Sequence, residues 1–91
     1  MPTVYGLSTC SHCKATKRYL DRNDIAYEEV LVNKLTGEER DKTVAYVKEL
    51  TGGTVFPITV ADNEEFVVGF DRVGLQELLG FSEKPRPEAE Y

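Results

Sequence analysis

A chain of 91 residues falls short of two ordinary domains, which run to roughly 100 to 150 residues each, so one compact unit is expected. Apolar residues at 41% supply a core and charged residues at 30% a solvated surface, which excludes a disordered or fibrous chain. A net charge of −5 has the wrong sign for neutralising phosphates, and no apolar run approaches the roughly 20 residues of a membrane span, so nucleic acid and membrane are set aside as partners and a cytoplasmic location is expected.

Thr3 to Leu7 (TVYGL) combines β-branched and aromatic residues and reads as a buried strand that ends at Ser8-Thr9. From there the period becomes helical. Lys14, Lys17, Arg18, Asp21 and Arg22 form a polar stripe with Cys13, Thr16, Tyr19 and Leu20 opposite. The basic members of that stripe are a solvated helix face or a guide for an acidic partner. Asn23-Asp24 closes the helix, and Ile25 to Val32 (IAYEEVLV) is a second strand, joined to the first by a right-handed parallel crossover. Thr36-Gly37-Glu38-Glu39 matches a capping box, in which Thr36 and Glu39 satisfy each other's unpaired amides. The helix starting there places Val44, Val47 and Leu50 on its apolar face, with Tyr46 alongside, and stops at Gly52-Gly53. Val55 to Ala61 and Glu65 to Val68 are two strands of a hairpin turning at Asp62-Asn63-Glu64. Asp71 caps a last helix through Leu79, ended by Gly80. Residues 1–80 thus form the domain, in the order β-α-β-α-β-β-α, and residues 81–91, with Pro85 and Pro87 among charges, are expected to be a frayed polar tail.

The two cysteines, Cys10 and Cys13, stand where the first strand meets the first helix. A thiol of pKa near 8.5 is only about 3% thiolate at pH 7, so fast thiol exchange needs a device that stabilises the anion. The start of a helix is one: its unpaired amides and positive dipole end point at Cys10, while Cys13, one turn in, is more shielded. Ser11, His12 and Lys14 surround Cys10 and are the candidate thiolate-stabilising residues. A helix dipole supplies roughly 0.3 to 2 kcal/mol, whereas lowering a pKa by three units takes about 4 kcal/mol, so hydrogen bonds to the sulfur from the motif amides and the Cys13 thiol must contribute. This spacing suits dithiol exchange, with Cys10 as nucleophile and Cys13 as the resolving thiol. A closed zinc site needs four ligands, and the chain offers two cysteines with one histidine lodged between them, so no intrachain metal is expected. The competing reading is a metal or iron–sulfur cluster held between subunits through Cys10.

Over residues 3–80 the sequence resembles a glutaredoxin, of the thioredoxin superfamily. The resemblance rests on Cys10-Ser11-His12-Cys13 after the first strand, Val55-Phe56-Pro57 before the third, and Gly69-Phe70-Asp71 before the last helix. It implies an α/β, thioredoxin-like fold with a four-stranded mixed sheet flanked by helices. The implied activity is that of a dithiol–disulfide oxidoreductase, an electron carrier that reduces protein disulfides or glutathione mixed disulfides. It implies further that Pro57 is a cis proline, that the Phe56 backbone pairs with an extended segment of the bound partner, that Gly69 permits close backbone approach, and that Asp71 contacts the amino end of glutathione. Val55, Phe56, Pro57, Gly69, Phe70 and Asp71 are therefore the candidate substrate- or glutathione-binding residues; Asp71 reads equally as a helix cap. Glutaredoxins commonly carry a lysine where Leu7 stands and a Gly-Gly-Asp turn in place of Gly69-Phe70-Asp71. The Gly-Phe turn is similar to NrdH-type redoxins, which take electrons from a thioredoxin reductase and serve ribonucleotide reductase. The implied electron source is glutathione or a thioredoxin reductase with NADPH, with no bound cofactor. The expected partners are disulfide-containing proteins, ribonucleotide reductase among them, engaged by a monomer.

Overall fold

The computed structural model describes residues 1–84. Strand β1 (Thr3–Gly6) lies inside the sheet and pairs on both sides, parallel to β2 (Glu28–Leu31) and antiparallel to β3 (Ile58–Val60). Strand β4 (Phe66–Val68) runs antiparallel to β3, giving a four-stranded mixed sheet in the order β2-β1-β3-β4. Helix α1 (Ser11–Arg22) is the crossover between the parallel pair, α2 (Gly37–Thr51) follows a single 3-10 turn at Val32–Lys34, and α3 (Arg72–Leu79) follows β4.

Side chains alternate across a strand, and that alternation assigns the helices to faces. Val4, with Tyr19 and Leu20 of α1 and Leu75 of α3, forms one buried cluster. Ile58 and Val60, with Val47 of α2, form the other, where Tyr5 and Tyr46 also pack. Because Val4 pairs with Thr59 and Tyr5 with Ile58, the two clusters lie on opposite faces: α1 and α3 cover one, α2 the other. Leu20, Leu75, Val47 and Ile58 are all 0% exposed, and each such side chain contributes roughly 1.5 to 3 kcal/mol by leaving water.

Several element bounds differ from the sequence expectation for local reasons. β2 starts at Glu28 rather than Ile25, because Asp24 adopts a left-handed φ of 58° and the Ile25 amide closes α1 by donating to the Leu20 carbonyl (2.9 Å). Ile25 and Tyr27 then pack on the α1–α3 cluster ahead of the strand. β3 starts at Ile58, since Pro57 has no N–H for the ladder. α2 begins where the capping box stands, but the Thr36 side chain makes no cap hydrogen bond, because Gly37 at φ 59° turns the chain out of the geometry the box requires. The hairpin turns at Asp62–Glu64, closed by Ala61 N–H to Glu65 O at 2.8 Å and by Asn63 Oδ1 accepting from the Glu65 amide at 3.1 Å. α3 is capped by Asp71 and ends at Gly80 in the left-handed region (φ 70°).

Within the stretch expected to be a polar tail, Phe81 to Lys84 contact the rest of the chain. Phe81 packs on the α1–α3 cluster with its ring 5.9 Å from that of Tyr19. Glu83 pairs with Arg22 and Arg72, and the Lys84 amide donates to Asn23 Oδ1 at 2.7 Å. An aromatic residue just past the helix stop found an apolar surface, which outweighs the polar composition around it. The rest of the expected tail, residues 85–91, lies outside the described residues. Among the described residues no helix is long and apolar enough to cross a membrane.

Candidate active site

Strand register decides which loops meet. β1 ends at Gly6 and leads to Cys10; Ile58 lies opposite Tyr5, which puts Pro57 at that same end of the sheet. Val68 lies opposite Ile58, so Gly69 arrives there too, and its amide donates to the Pro57 carbonyl at 2.7 Å. The Phe56–Pro57 bond is cis. Three stretches far apart in sequence thus converge around the cysteines.

Cys10 is the N-cap of α1, in an extended conformation (φ −91°, ψ 118°), and its Sγ accepts from the Cys13 amide at 3.2 Å. The approach to it is braced: the Cys10 amide donates to the Leu7 carbonyl (3.2 Å), the Ser8 amide to Asn33 Oδ1 (2.9 Å), and Asn33 Nδ2 to Ser8 Oγ (2.7 Å). Cys10 is partly exposed, whereas Cys13 is 1% exposed; both thiols are free.

Their acidities are driven apart. Burial pushes the Cys10 thiol up, but the Cys13 thiol and the backbone amides of Cys13 and His12, all directed at its sulfur, together outweigh burial and leave it below its ordinary value. For Cys13 burial is again the largest influence and the hydrogen bond with Cys10 adds to it, pushing the thiol up to about 11 against the opposing pull of the Leu7 amide and the Lys17 ammonium. His12 therefore acts on Cys10 through its backbone, and the side chains of Ser11, His12 and Lys14 are exposed.

Behind Cys13 lies a narrow crevice lined by Val4, Gly6, Cys13, Lys17, Glu29 and Leu31, where Lys17 and Glu29 form an ion pair. Gly6 packs closely there: a Cβ would meet the Cys13 Sγ at 3.0 Å and Cβ at 3.1 Å, so Cys13 would have to give by a few tenths of an ångström. Gly6, Asn33, Lys17 and Glu29 were absent from the sequence-derived site. The Thr-Val-Tyr-Gly pattern carried a signal for Gly6, a glycine inside a strand marking a close approach; the others depend on pairings that only the fold creates.

Of the remaining candidates, Val55 is 65% and Phe70 37% exposed beside the cis proline, and the Phe70 ring packs against Tyr19 at 5.7 Å. Asp71 acts as a cap, one carboxylate oxygen accepting from the Gly74 amide at 3.0 Å. Among the described residues no three His, Cys, Asp or Glu side chains gather where they could hold a metal ion.

A mixed sheet in this order, a Cys-x-x-Cys pair at the head of the first helix and a cis proline beside it define a thioredoxin-like dithiol protein. The glutaredoxin family model matches residues 3–67, and the chain belongs to the glutaredoxin family, whose members are thiol–disulfide oxidoreductases. Glutaredoxin 1 of Rickettsia prowazekii (strain Madrid E) is 35% identical over 60 residues, which are 66% of this chain and 60% of that protein, so the chain matches less than two thirds of that relative's length. Among solved structures, the glutaredoxin of Archaeoglobus fulgidus superposes with a TM-score of 0.80 at 37% identity, covering 86% of this chain and 84% of that one. Methanoredoxin of Methanosarcina acetivorans does so with a TM-score of 0.81 at 36% identity, covering 88% and 84%.

Proposed function

We propose that this protein is a dithiol–disulfide oxidoreductase that carries electrons to disulfides of protein partners through Cys10 and Cys13. The observation that supports it is the opposite displacement of two thiols on one helical turn, Cys10 held low and Cys13 held near 11. Such a pair presents one nucleophile and keeps the other in reserve.

In the first step the Cys10 thiolate attacks one sulfur of the partner disulfide. A new S–S bond forms, the partner's bond breaks, and the departing thiolate takes a proton from water. The mixed disulfide no longer carries a charge on Cys10, which removes both its hydrogen bond and its electrostatic hold on the Cys13 proton. Cys13 is then released to ionise, assisted by Lys17, and attacks Cys10 Sγ. The partner leaves with two electrons gained, and Cys10 and Cys13 are left as a disulfide. Capping the first thiol thus arms the second.

Val55, Phe56, Pro57, Gly69, Phe70 and Asp71 form the surface that receives the substrate or glutathione, a reading supported by the convergence of their two loops at the cysteine end of the sheet. Glutathione and a thioredoxin reductase with NADPH both fit as electron sources. Reduction of the oxidised protein by glutathione through a glutathionylated intermediate selects the first; resistance to glutathione with rapid reduction by the reductase selects the second.

The oxidoreductase reading is tested by two substitutions. Cys10→Ser abolishes disulfide reduction, and Cys13→Ser accumulates a partner bonded to Cys10, seen as an added mass that dithiothreitol removes. Full reductase activity in Cys10→Ser overturns the assignment.

A further inference from the structure

A groove of about 360 Å³ runs between α1 and the start of α3, lined by Ala15, Arg18, Tyr19, Arg22, Phe70 and Arg72. It gathers three arginines on a chain whose net charge is −5, two of them, Arg22 and Arg72, paired with the Glu83 carboxylate. Its aromatic wall is fixed: the Tyr19 and Phe70 rings meet at 5.7 Å in a T-shaped contact, the Arg72 guanidinium lies 5.7 Å from the Tyr19 ring centroid, and Gln76 Nε2 donates to the Tyr19 hydroxyl at 3.0 Å. The groove shares Phe70 with the candidate substrate surface, where the preceding Gly69 amide donates to the Pro57 carbonyl.

The chain itself shows which group these arginines take. The Glu83 carboxylate pairs with both Arg22 (3.5 Å) and Arg72 (2.8 Å to Nε). Arg18, one turn before Arg22 on α1, is exposed. A guanidinium beside an aromatic face suits a carboxylate on an aliphatic stem, which buries its methylenes while its charge is paired.

We infer that this groove docks an acidic segment of the disulfide-bearing protein partner, and so selects among substrates. The inference rests on the oxidoreductase reading above. A helix rises 1.5 Å per residue, so the groove spans from about 7 to about 18 Å from Cys10 between Ala15 and Arg22. An extended chain advances roughly 3.3 Å per residue, which places the acidic side chains about two to five residues from the cysteine that Cys10 attacks.

The test compares reduction rates for synthetic peptides carrying a disulfide with either Glu or Gln at two to five residues on each side of the cysteine. Dithiothreitol is the electron source, and 2-hydroxyethyl disulfide the uncharged reference. The wild-type protein favours the Glu peptide by about two- to fivefold in kcat/KM, a range set by exposed ion pairs, and 0.5 M salt erases the preference. Arg18→Gln loses the preference and reduces 2-hydroxyethyl disulfide at the wild-type rate. Equal rates for the two peptides with the wild-type protein overturn the inference, as does a preference that survives Arg18→Gln undiminished. Failure of the wild-type protein to reduce 2-hydroxyethyl disulfide overturns the oxidoreductase reading itself.

Discussion

Helices α1 and α3 begin in the same way, and the difference between their first residues separates reactivity from stability. In α3 an Asp71 oxygen accepts from the amide three residues on, at 3.0 Å; in α1 the Cys10 sulfur accepts from the amide three residues on, at 3.2 Å. At α3 the acceptor is a carboxylate oxygen, and the bond holds the start of the helix. A thiol is a strong acceptor only when ionised, so at α1 the same geometry favours the thiolate and lends the helix its full support only once the proton has gone. One device anchors the C-terminal helix and activates the N-terminal one.

The largest effect expected from breaking this pairing is on activity. Cys10→Ala and Cys10→Ser both abolish disulfide reduction, but Ser retains an acceptor for the Cys13 amide and Ala does not. Urea unfolding therefore finds the Ala variant less stable than the Ser variant by about 1 kcal/mol. The counterpart at the other helix, Asp71→Ala, also costs about 1 kcal/mol and lowers Tm by about 4 to 8 °C, read by calorimetry, while the pH midpoint of Cys10 alkylation stays where it is. A shift of that midpoint would show that the α3 cap also serves the thiol.

The pH dependence of stability sharpens the contrast. Cys10, depressed in the folded protein below its ordinary 9.0, adds stability that is present above 9.0 and is lost as pH falls through its folded value. Cys13, raised to about 11, adds stability that is present below 9.0 and is lost as pH rises toward 11. Urea midpoints for the reduced protein thus climb as pH approaches 9 from below and decline beyond it, and Cys10→Ser lacks the climb. The smallest effect is that of Lys17→Met. With the ammonium gone from the crevice wall, Cys13 is held still higher, and release of partner from the mixed disulfide slows by less than about threefold, as stopped-flow measurement of that step would show.

What was legible in the sequence was what is written locally. The thiols at the strand–helix junction, the Asp71 cap, the Gly80 stop and the Asp62–Glu64 turn depend on residues within a few positions of one another, and each is found where local chemistry places it. Thr36 is the instructive exception: the box pattern was present, but Gly37 in a left-handed conformation took the backbone elsewhere. β2 starts later than Ile25 because β-branched and aromatic character marks packing as well as strand, and Ile25 and Tyr27 are half-buried against the α1–α3 cluster. The contacts of Phe81 and Glu83 had no local signature either, their partners lying on α1 and α3. The Ser8–Asn33 brace spans 25 positions and the Lys17–Glu29 pair joins a helix to a strand, so neither had a local signature.

The outer strands of the sheet are arranged against self-association. β4 leaves Phe66 at 39% and Val68 at 42% exposure, apolar side chains on an edge where another chain could add in register. It lasts only three residues, however, and the next amide, that of Gly69, is already turned inward to Pro57. At the opposite edge β2 opens with the exposed Glu28, whose charge repels a second copy of the same strand. Neither border offers a long, flat, neutral template, so the sheet that carries the cysteine pair at one end is poorly suited to growing by addition of its own kind.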